Sequence, residues 1–170
     1  MAPNRDFETR DDNAGHDAEG RAALVVIGMQ RARLAGPDTE SNIRLVTGLL
    51  DRARKDGTQI VFVQHSGPSG SPYERGADGW RLFDGAQPRF PDWVVEKQQF
   101  SIFDGTHLAA QLKAVGITHL LLTGRASDDD VAVSAVAAAA LGFKAELAEA
   151  LPAEAMGDAQ RRQALERAGL

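Results

Sequence analysis

The chain has 170 residues, 43% of them hydrophobic, no cysteine and a formal net charge of −5. This length and composition favour one globular domain with a sizeable core, and the lack of cysteine excludes disulfides, thiolate metal sites and a thiol nucleophile. The sequence shows no apolar run that could span a membrane, no signal-peptide core and no basic stripe, so we expect a cytoplasmic protein that binds neither membranes nor nucleic acid.

Most of the negative charge lies in the first twenty residues. They carry two arginines against six acidic side chains and almost no apolar ones. A segment of that composition cannot bury enough apolar surface to fold. We therefore predict a disordered acidic tail over residues 1–20 and one domain over residues 21–170.

The first half of this domain alternates strand and helix patterns. "AALVVIG" (22–28) is a continuous apolar run and predicts a strand buried on both faces. Apolar residues recur at helical spacing over 38–57 and predict a helix that ends at Gly57. "TQIVFVQH" (58–65) predicts the second strand. Residues 66–92 are rich in Gly, Pro, Ser and Asp and predict a long loop, which in a compact domain is usually functional or mobile.

The second half continues the alternation. "WVVEK" (93–97) predicts a third strand, and Thr106 is predicted to cap a helix that runs to about residue 115. "THLLLTG" (118–124) predicts a fourth buried strand, and it is followed by a predicted helix at 127–141, a strand at 143–147 and a helix at 157–169. Because buried strands alternate with helices, we predict a parallel α/β sheet with helices on both faces.

The carboxyl ends of the predicted strands indicate where a ligand would bind. In an open parallel sheet, ligands bind in the crevice beyond these ends. Four parts of the sequence fall there: Gly28 to Gln30, His65 with the loop after it, Lys97, and residues 124–130.

Three consecutive aspartates begin the third predicted helix. Ser127 and Asp130 fit the S-x-x-D pattern of a capping box, and Asp128 and Asp129 fall in the first turn, where negative charge interacts favourably with the helix dipole. Consecutive residues point in different directions from a helix start, which argues against a metal site. Helix capping and a role for Asp130 in the crevice are both open at this stage.

Residues 22–145 resemble the isochorismatase-like cysteine hydrolases, which include nicotinamidases and N-carbamoylsarcosine amidases. "ALVVIGMQ" is similar to the family's apolar-I-D-x-Q strand, and the K-x-x-x-S-x-F-x-G-T-x-L pattern runs from Lys97 to Leu108. "TGRASDDDVAVSAVAAAALGF" is similar to G-x-x-T-x-x-C-V-x-x-T-A-x-x-A-x-x-x-G-Y. The resemblance implies a single α/β domain of about five parallel strands in the order 3-2-1-4-5, and an oligomer that is at least a dimer.

The resemblance also assigns site residues. The family uses an Asp after the first strand, a Lys after the third and a nucleophilic Cys at the helix after the fourth. By position the Lys is Lys97, whereas Gly28 replaces the Asp and Asp130 replaces the Cys. The thiol chemistry is therefore expected to be absent, with Lys97 and Asp130 facing each other. The positions expected to line the pocket, of which the aromatic ones could equally be core, are Gly28, Gln30, His65, Trp80, Phe103 and Ala126.

Two functions are compatible with these residues. In the first, the protein is a degenerate family member that keeps a small-molecule pocket and serves as a binding or assembly component. In the second, it is a hydrolase or lyase of non-cysteine mechanism that acts on a small organic acid or amide, with Asp130 as general acid/base and Lys97 as its partner. The first predicts a filled pocket and the second an open one. No cofactor or metal is expected, since the Asp-x-His ligands of nicotinamidases are absent.

Overall fold

The computed structural model of the chain describes residues 20–125 and 129–148. Over these ranges five strands alternate with three helices: β1 (Arg21–Ile27), α1 (Thr39–Lys55), β2 (Gln59–His65), β3 (Trp93–Lys97), α2 (Leu108–Ala114), β4 (Ile117–Gly124), α3 (Asp129–Ala140) and β5 (Lys144–Leu147). The predicted acidic tail, the predicted helix 157–169, and Ala126, Ser127 and Asp128 lie outside the described residues.

The sheet has the predicted parallel arrangement and the predicted strand order, β3-β2-β1-β4-β5. Its register brings the carboxyl ends of the strands together. Ile27 of β1 lies opposite Val63 of β2 and Gly124 of β4, and His65 of β2 lies opposite Lys97 of β3. The residues at and just beyond these ends therefore meet along one edge of the sheet.

Helices cover both faces of the sheet because its central strands are apolar on both sides. Leu24 and Val26 of β1 pack with α1 residues such as Leu50. The alternate residues, including Val25, pack on the opposite face with α2 and α3. On that face, Ala135 of α3 is 1% exposed. Its small side chain lets the helix lie close to the sheet. Because α3 follows the end of β4, its first turn lies at the carboxyl edge.

Two glycines have clear structural reasons. Gly57 has a φ of +68° and follows the end of α1, as the sequence predicted. Gly124 ends β4, and a Cβ atom there would overlap the carbonyl oxygen of Ile27 and contact the side chain of Val131. Because these three residues belong to β4, β1 and α3, the three elements meet without spare room at the edge of the sheet.

The start of α2 differs from the prediction. The helix begins at Leu108, with His107 at the N-cap position and no side-chain cap. The hydroxyl of Thr106 donates a hydrogen bond of 2.6 Å to the carbonyl oxygen of Ile102 and accepts a long one of 3.5 Å from the amide of Leu108. The assigned N-cap is thus one residue later than predicted, and the Thr106 hydroxyl caps the helix only through this long bond to its first amide.

Side-chain contacts fix the loop over residues 66–92 to the body of the domain. Arg31 pairs with Asp78 and Asp84 of the loop. Arg54 of α1 pairs with Asp92 at 3.0 Å. The loop is therefore held at both ends of its path: by Arg31 at the carboxyl edge, where it begins, and by Arg54 at the amino edge, where it leads into β3. Within the described ranges, no helix is long and apolar enough to cross a membrane.

Candidate active-site crevice

Strand alternation brings His65 and Lys97 to the same face of the sheet. Each follows by two residues a side chain, Val63 or Val95, that packs on the face covered by α2 and α3. The parallel register places His65 and Lys97 on neighbouring strands. Asp130, in the first turn of α3, is 5% exposed and lies above the same edge.

Lys97 and Asp130 form a buried ion pair. Lys97 Nζ donates to Asp130 Oδ2 at 2.6 Å and to the carbonyl oxygen of Gln99 at 2.8 Å. This confirms the expectation that the two side chains face each other. At an effective dielectric near 20, opposite charges about 4 Å apart attract by roughly 4 kcal/mol, and the desolvation of both groups offsets much of this gain.

Arg33 is a second cation at Asp130, and the sequence did not indicate it. It ends the short 3-10 turn Arg31–Arg33 that follows β1. Its Nη1 donates to Asp130 Oδ2 at 3.2 Å, and its Cζ lies 5.3 Å from the centroid of the Tyr73 ring. The one sequence feature that could have indicated Arg33 as a site residue is its position just after the end of β1. Arg31 has the same feature, yet its side chain contacts the loop and not Asp130.

His65 lies beside this cluster with a perturbed acidity. Burial lowers the pKa of the His65 imidazole below its ordinary value, the positive charges of Lys97 and Arg33 lower it further, and Asp130 partly opposes them. Its ring packs edge-on against Tyr73, with centroids 5.6 Å apart. His65 Nδ1 is buried and has no hydrogen-bond partner among the described residues. These surroundings favour the neutral imidazole at neutral pH.

Gly28, at the position of the expected base, has a backbone role. Its φ is +69°, a conformation that favours glycine, and its amide donates to the carbonyl oxygen of Val63 at 3.0 Å. It presents no titratable group to Lys97 or Asp130.

Gln30 fastens the end of β2 to the loop. It is fully buried, and its Nε2 donates to the carbonyl oxygens of His65 at 2.9 Å and Trp80 at 2.8 Å, while its Oε1 accepts from the His65 amide at 2.8 Å. Gln64 Nε2 donates to the same Trp80 oxygen at 3.1 Å. The amide of Gln30, which was expected to line the pocket, is therefore engaged by the backbone.

The two aromatic candidates occupy different surroundings. Trp80 Nε1 donates to Ser66 Oγ at 3.1 Å, and the residue lines an open cavity of about 390 Å³ whose wall also includes Arg31 and Arg81 but neither member of the buried ion pair. Phe103 stacks on Phe143 with ring centroids 5.9 Å apart and packs on the core below α3. Phe103 is therefore a core residue, one of the two possibilities that the sequence left open for the aromatic positions. Ala126 lies outside the described residues.

The described ranges contain no group of three His, Cys, Asp or Glu side chains close enough to hold a metal ion. Among the described residues, the polar groups that converge here include the cations of Lys97 and Arg33, the carboxylate of Asp130 and the imidazole of His65. This arrangement is suited to binding a charged or polar small molecule, or to moving a proton.

Comparison with known proteins identifies the family. Residues 22–168 match the model of the isochorismatase domain. The chain belongs to the isochorismatase family. Its strand order and parallel sheet are those of solved members, such as N-carbamoylsarcosine amidase from Thermoplasma acidophilum. That structure superposes with a TM-score of 0.76 at 26% identity, over 88% of this chain and 93% of the amidase.

The curated isochorismatase-family relatives are hydrolases. Streptothricin hydrolase from Streptomyces noursei is 33% identical over 129 residues, which cover 74% of this chain and 47% of that protein. Ureidoacrylate amidohydrolase RutB from Yersinia enterocolitica is 29% identical over 147 residues, which cover 63% of this chain and 64% of that protein. The chain thus spans about half the length of the streptothricin hydrolases that it matches.

Proposed function

We propose that this isochorismatase-family domain lacks cysteine hydrolase chemistry and serves as a small-molecule-binding or assembly component. The family fold supports a ligand site at the carboxyl edge of the sheet. Two substitutions at that edge support the loss of chemistry, Gly28 at the position of the base and Asp130 at the position of the nucleophile.

The observation that carries the proposal is the ion-pair cluster at Asp130. Lys97 and Arg33 both donate to its Oδ2 atom. A carboxylate is a much weaker nucleophile than a thiolate. The cations that could polarise a substrate carbonyl already hold a side chain of the protein itself.

An ammonia-release assay tests this proposal. The protein and its Asp130→Ala variant are incubated with nicotinamide and with N-carbamoyl substrates at neutral pH, beside an active family amidase. We expect release no faster than in buffer from both proteins. A rate well above buffer that Asp130→Ala abolishes would overturn the proposal.

That result would favour a second candidate, a hydrolase or lyase of non-cysteine mechanism with Asp130 as general acid/base and Lys97 as its partner. One observation supports it. The His65 imidazole, whose pKa is lowered by burial and by the neighbouring cations, lies beside the ion pair, and its buried Nδ1 lacks a hydrogen-bond partner among the described residues. Two titratable groups side by side suit proton transfer to and from a small acid or amide. In this case a pH–rate profile should change in both Asp130→Asn and His65→Gln.

Self-association is the assembly part of the proposal. β3 is an edge strand of the described sheet. Val94 on this strand, Phe90 before it and Phe100 after it are exposed, and apolar side chains at a sheet edge suit contact with a second copy. We expect light scattering to give the mass of a dimer, and that of a monomer after Val94→Lys with Phe100→Ser. A monomeric parent chain would remove this part of the proposal.

A further inference from the structure

Lys97 and Asp130 hold an amine against a carboxyl group away from water. The Lys97 side chain is 1% exposed and that of Asp130 is 7% exposed. Lys97 Nζ lies 2.6 Å from Asp130 Oδ2. A hydrogen bond of that length places the nitrogen about 3–3.5 Å from the carboxyl carbon, which is the separation of atoms poised to react. The carbonyl oxygen of Gln99 accepts a second hydrogen bond from Nζ and restricts the direction of the amine.

Two neighbouring residues suit the formation of an amide from this pair. Arg33 Nη1 donates to Asp130 Oδ2 at 3.2 Å, so a guanidinium group stands where negative charge develops when a nitrogen attacks the carboxyl carbon. His65 lies on the strand beside Lys97. Burial, and then the charges of Lys97 and Arg33, lower the pKa of His65, so its imidazole is neutral at neutral pH and can accept a proton. Its buried Nδ1 has no hydrogen-bond partner among the described residues.

Burial of the pair also favours an amide as the product. An ion pair taken out of water carries a desolvation cost for both charges, whereas an amide carries no net charge. The fold has already brought the two groups together, so their reaction has no further entropy of association to overcome. We propose that Lys97 and Asp130 condense to an intramolecular isopeptide bond, which joins the end of β3 to the first turn of α3.

The reaction needs no oxidant, reductant or co-reactant. One proton passes from Lys97 Nζ to the carboxylate, which becomes a carboxylic acid. The neutral Nζ attacks Asp130 Cγ, and Arg33 stabilises the oxygen that gains negative charge. His65 takes a proton from the attached nitrogen and returns it to the hydroxyl group, the C–O bond breaks, and one water leaves. One ammonium and one carboxylate thus become one amide without a change in net charge, and the ion pair in the structure is the reactant.

Mass spectrometry on the full chain tests the proposal. After incubation at neutral pH, the folded protein should be lighter by one water than the same chain kept unfolded in urea. A tryptic digest should contain residues 90–113, uncleaved at Lys97, linked to residues 126–144. These linked peptides distinguish the isopeptide bond from a succinimide at an Asp-Gly sequence, which also loses one water. Lys144→Met is the matched control, because Lys144 pairs with Glu146 in an exposed contact at 3.9 Å, and it should lose one water as the parent does.

Three variants test the groups that take part. Lys97→Arg keeps the cation but removes the amine, so it should form no linked peptides. Asp130→Asn keeps a carbonyl carbon at the same position, so it should form the same linked peptides with the loss of one ammonia instead of one water. His65→Gln should slow the parent reaction by roughly a hundredfold, the lower end of the usual contribution of one general base.

Absence of the linked peptides from the folded parent, or their presence in Lys97→Arg, would overturn the inference. An unchanged rate in His65→Gln would overturn the part assigned to His65. Should Lys97→Arg fold poorly, the loss of ammonia rather than water in Asp130→Asn still identifies the carboxyl group that reacts.

The isopeptide bond does not depend on the proposed function. An Asp130 side chain consumed as an amide cannot serve as a general acid or base, so the linked peptides would argue against the second candidate function. Asp130-dependent release of ammonia from amide substrates would overturn the proposed function, while the tryptic digest of the parent chain would still decide the isopeptide bond.

Discussion

Lys97 and Asp130 stand 33 positions apart in the sequence, yet their side chains meet at 2.6 Å. This contact joins the end of β3 to the first turn of α3, across the strand end that holds His65. Both side chains are almost fully buried, so neither charge has water as an alternative partner. The pair is thus a structural tie between sheet and helix, whatever else it does.

Lys97→Met should lower the free energy of unfolding by about 3 kcal/mol, near the lower end of the range for breaking a buried pair, because Arg33 still faces the carboxylate. The double variant Lys97→Met/Asp130→Leu should recover part of this loss, because the buried carboxylate is then gone. Arg33 loses its bond to Asp130 in this variant, but its side chain is 16% exposed and also lies against the Tyr73 ring. Urea unfolding measures both. A double variant that is less stable than Lys97→Met would contradict the buried pairing.

The lowered pKa of His65 predicts that the stability of the folded protein depends on pH. Burial and two neighbouring cations lower the folded-state pKa of His65 below its ordinary value of 6.5, so the unfolded chain takes up this proton at a higher pH than the folded chain. The contribution to stability is complete above the ordinary pKa and is lost as pH falls below it towards the folded value. Urea midpoints should therefore fall between about pH 7.5 and 5.5, and His65→Gln should reduce that slope. Identical slopes would count against the perturbed imidazole.

The fold could be predicted from the sequence because its signals are local. "AALVVIG" and "THLLLTG" are apolar on both faces, and the observed β1 and β4 lie within one residue of the predicted bounds. The start of α2 was less predictable: the N-cap is His107 rather than Thr106, whose hydroxyl accepts only a long bond of 3.5 Å from the Leu108 amide. Cap choice depends on the path of the preceding turn.

The site was predictable only in part. The meeting of Lys97 with Asp130 followed from their positions at strand and helix ends. The sequence could not show which of Arg31 and Arg33 belongs to the site. The two residues lie on the same short turn, but Arg33 faces Asp130 of α3 and Arg31 faces the loop. Tyr73 lies within that loop, whose path depends on side-chain hydrogen bonds rather than on a repeating pattern. The sequence shows the residue types at these positions but not the directions in which their side chains point.

The backbone conformation of Gly28 predicts which substitutions at this position destabilise the protein most. Its φ of +69° costs an ordinary L residue about 1–2 kcal/mol, so Gly28→Ala should be destabilising by that amount and Gly28→Asn by less. Gly48→Ala is the control, since nothing lies within 4 Å of the added Cβ on α1, and it should stabilise by up to about 1 kcal/mol. Thermal unfolding of the three variants measures this. A Gly28→Ala protein as stable as its parent would show that this conformation is not required.

Gln30 and Gln64 form a matched pair for testing how the loop is held. Gln30→Leu removes three hydrogen bonds to the backbone of His65 and Trp80, whereas Gln64→Leu removes one. Since each buried polar group left unpaired costs about 1–3 kcal/mol, Gln30→Leu should be the more destabilising by at least about 1 kcal/mol. Hydrogen exchange should show faster exchange of the His65 amide and of loop amides in Gln30→Leu. Equal exchange in the two variants would contradict this fastening role.

The close contact at Gly124 means that the two walls of the crevice differ in how well they tolerate substitution. A side chain there would overlap Ile27 and press on Val131, so the wall made by β1, β4 and α3 admits no variation at this position. The opposite wall is made of side chains on a turn and a loop, Arg33 and Tyr73 among them. New ligand preferences should therefore arise by mutation of positions 33 and 73, and a combinatorial library aimed at this domain should vary those two positions and leave position 124 as glycine.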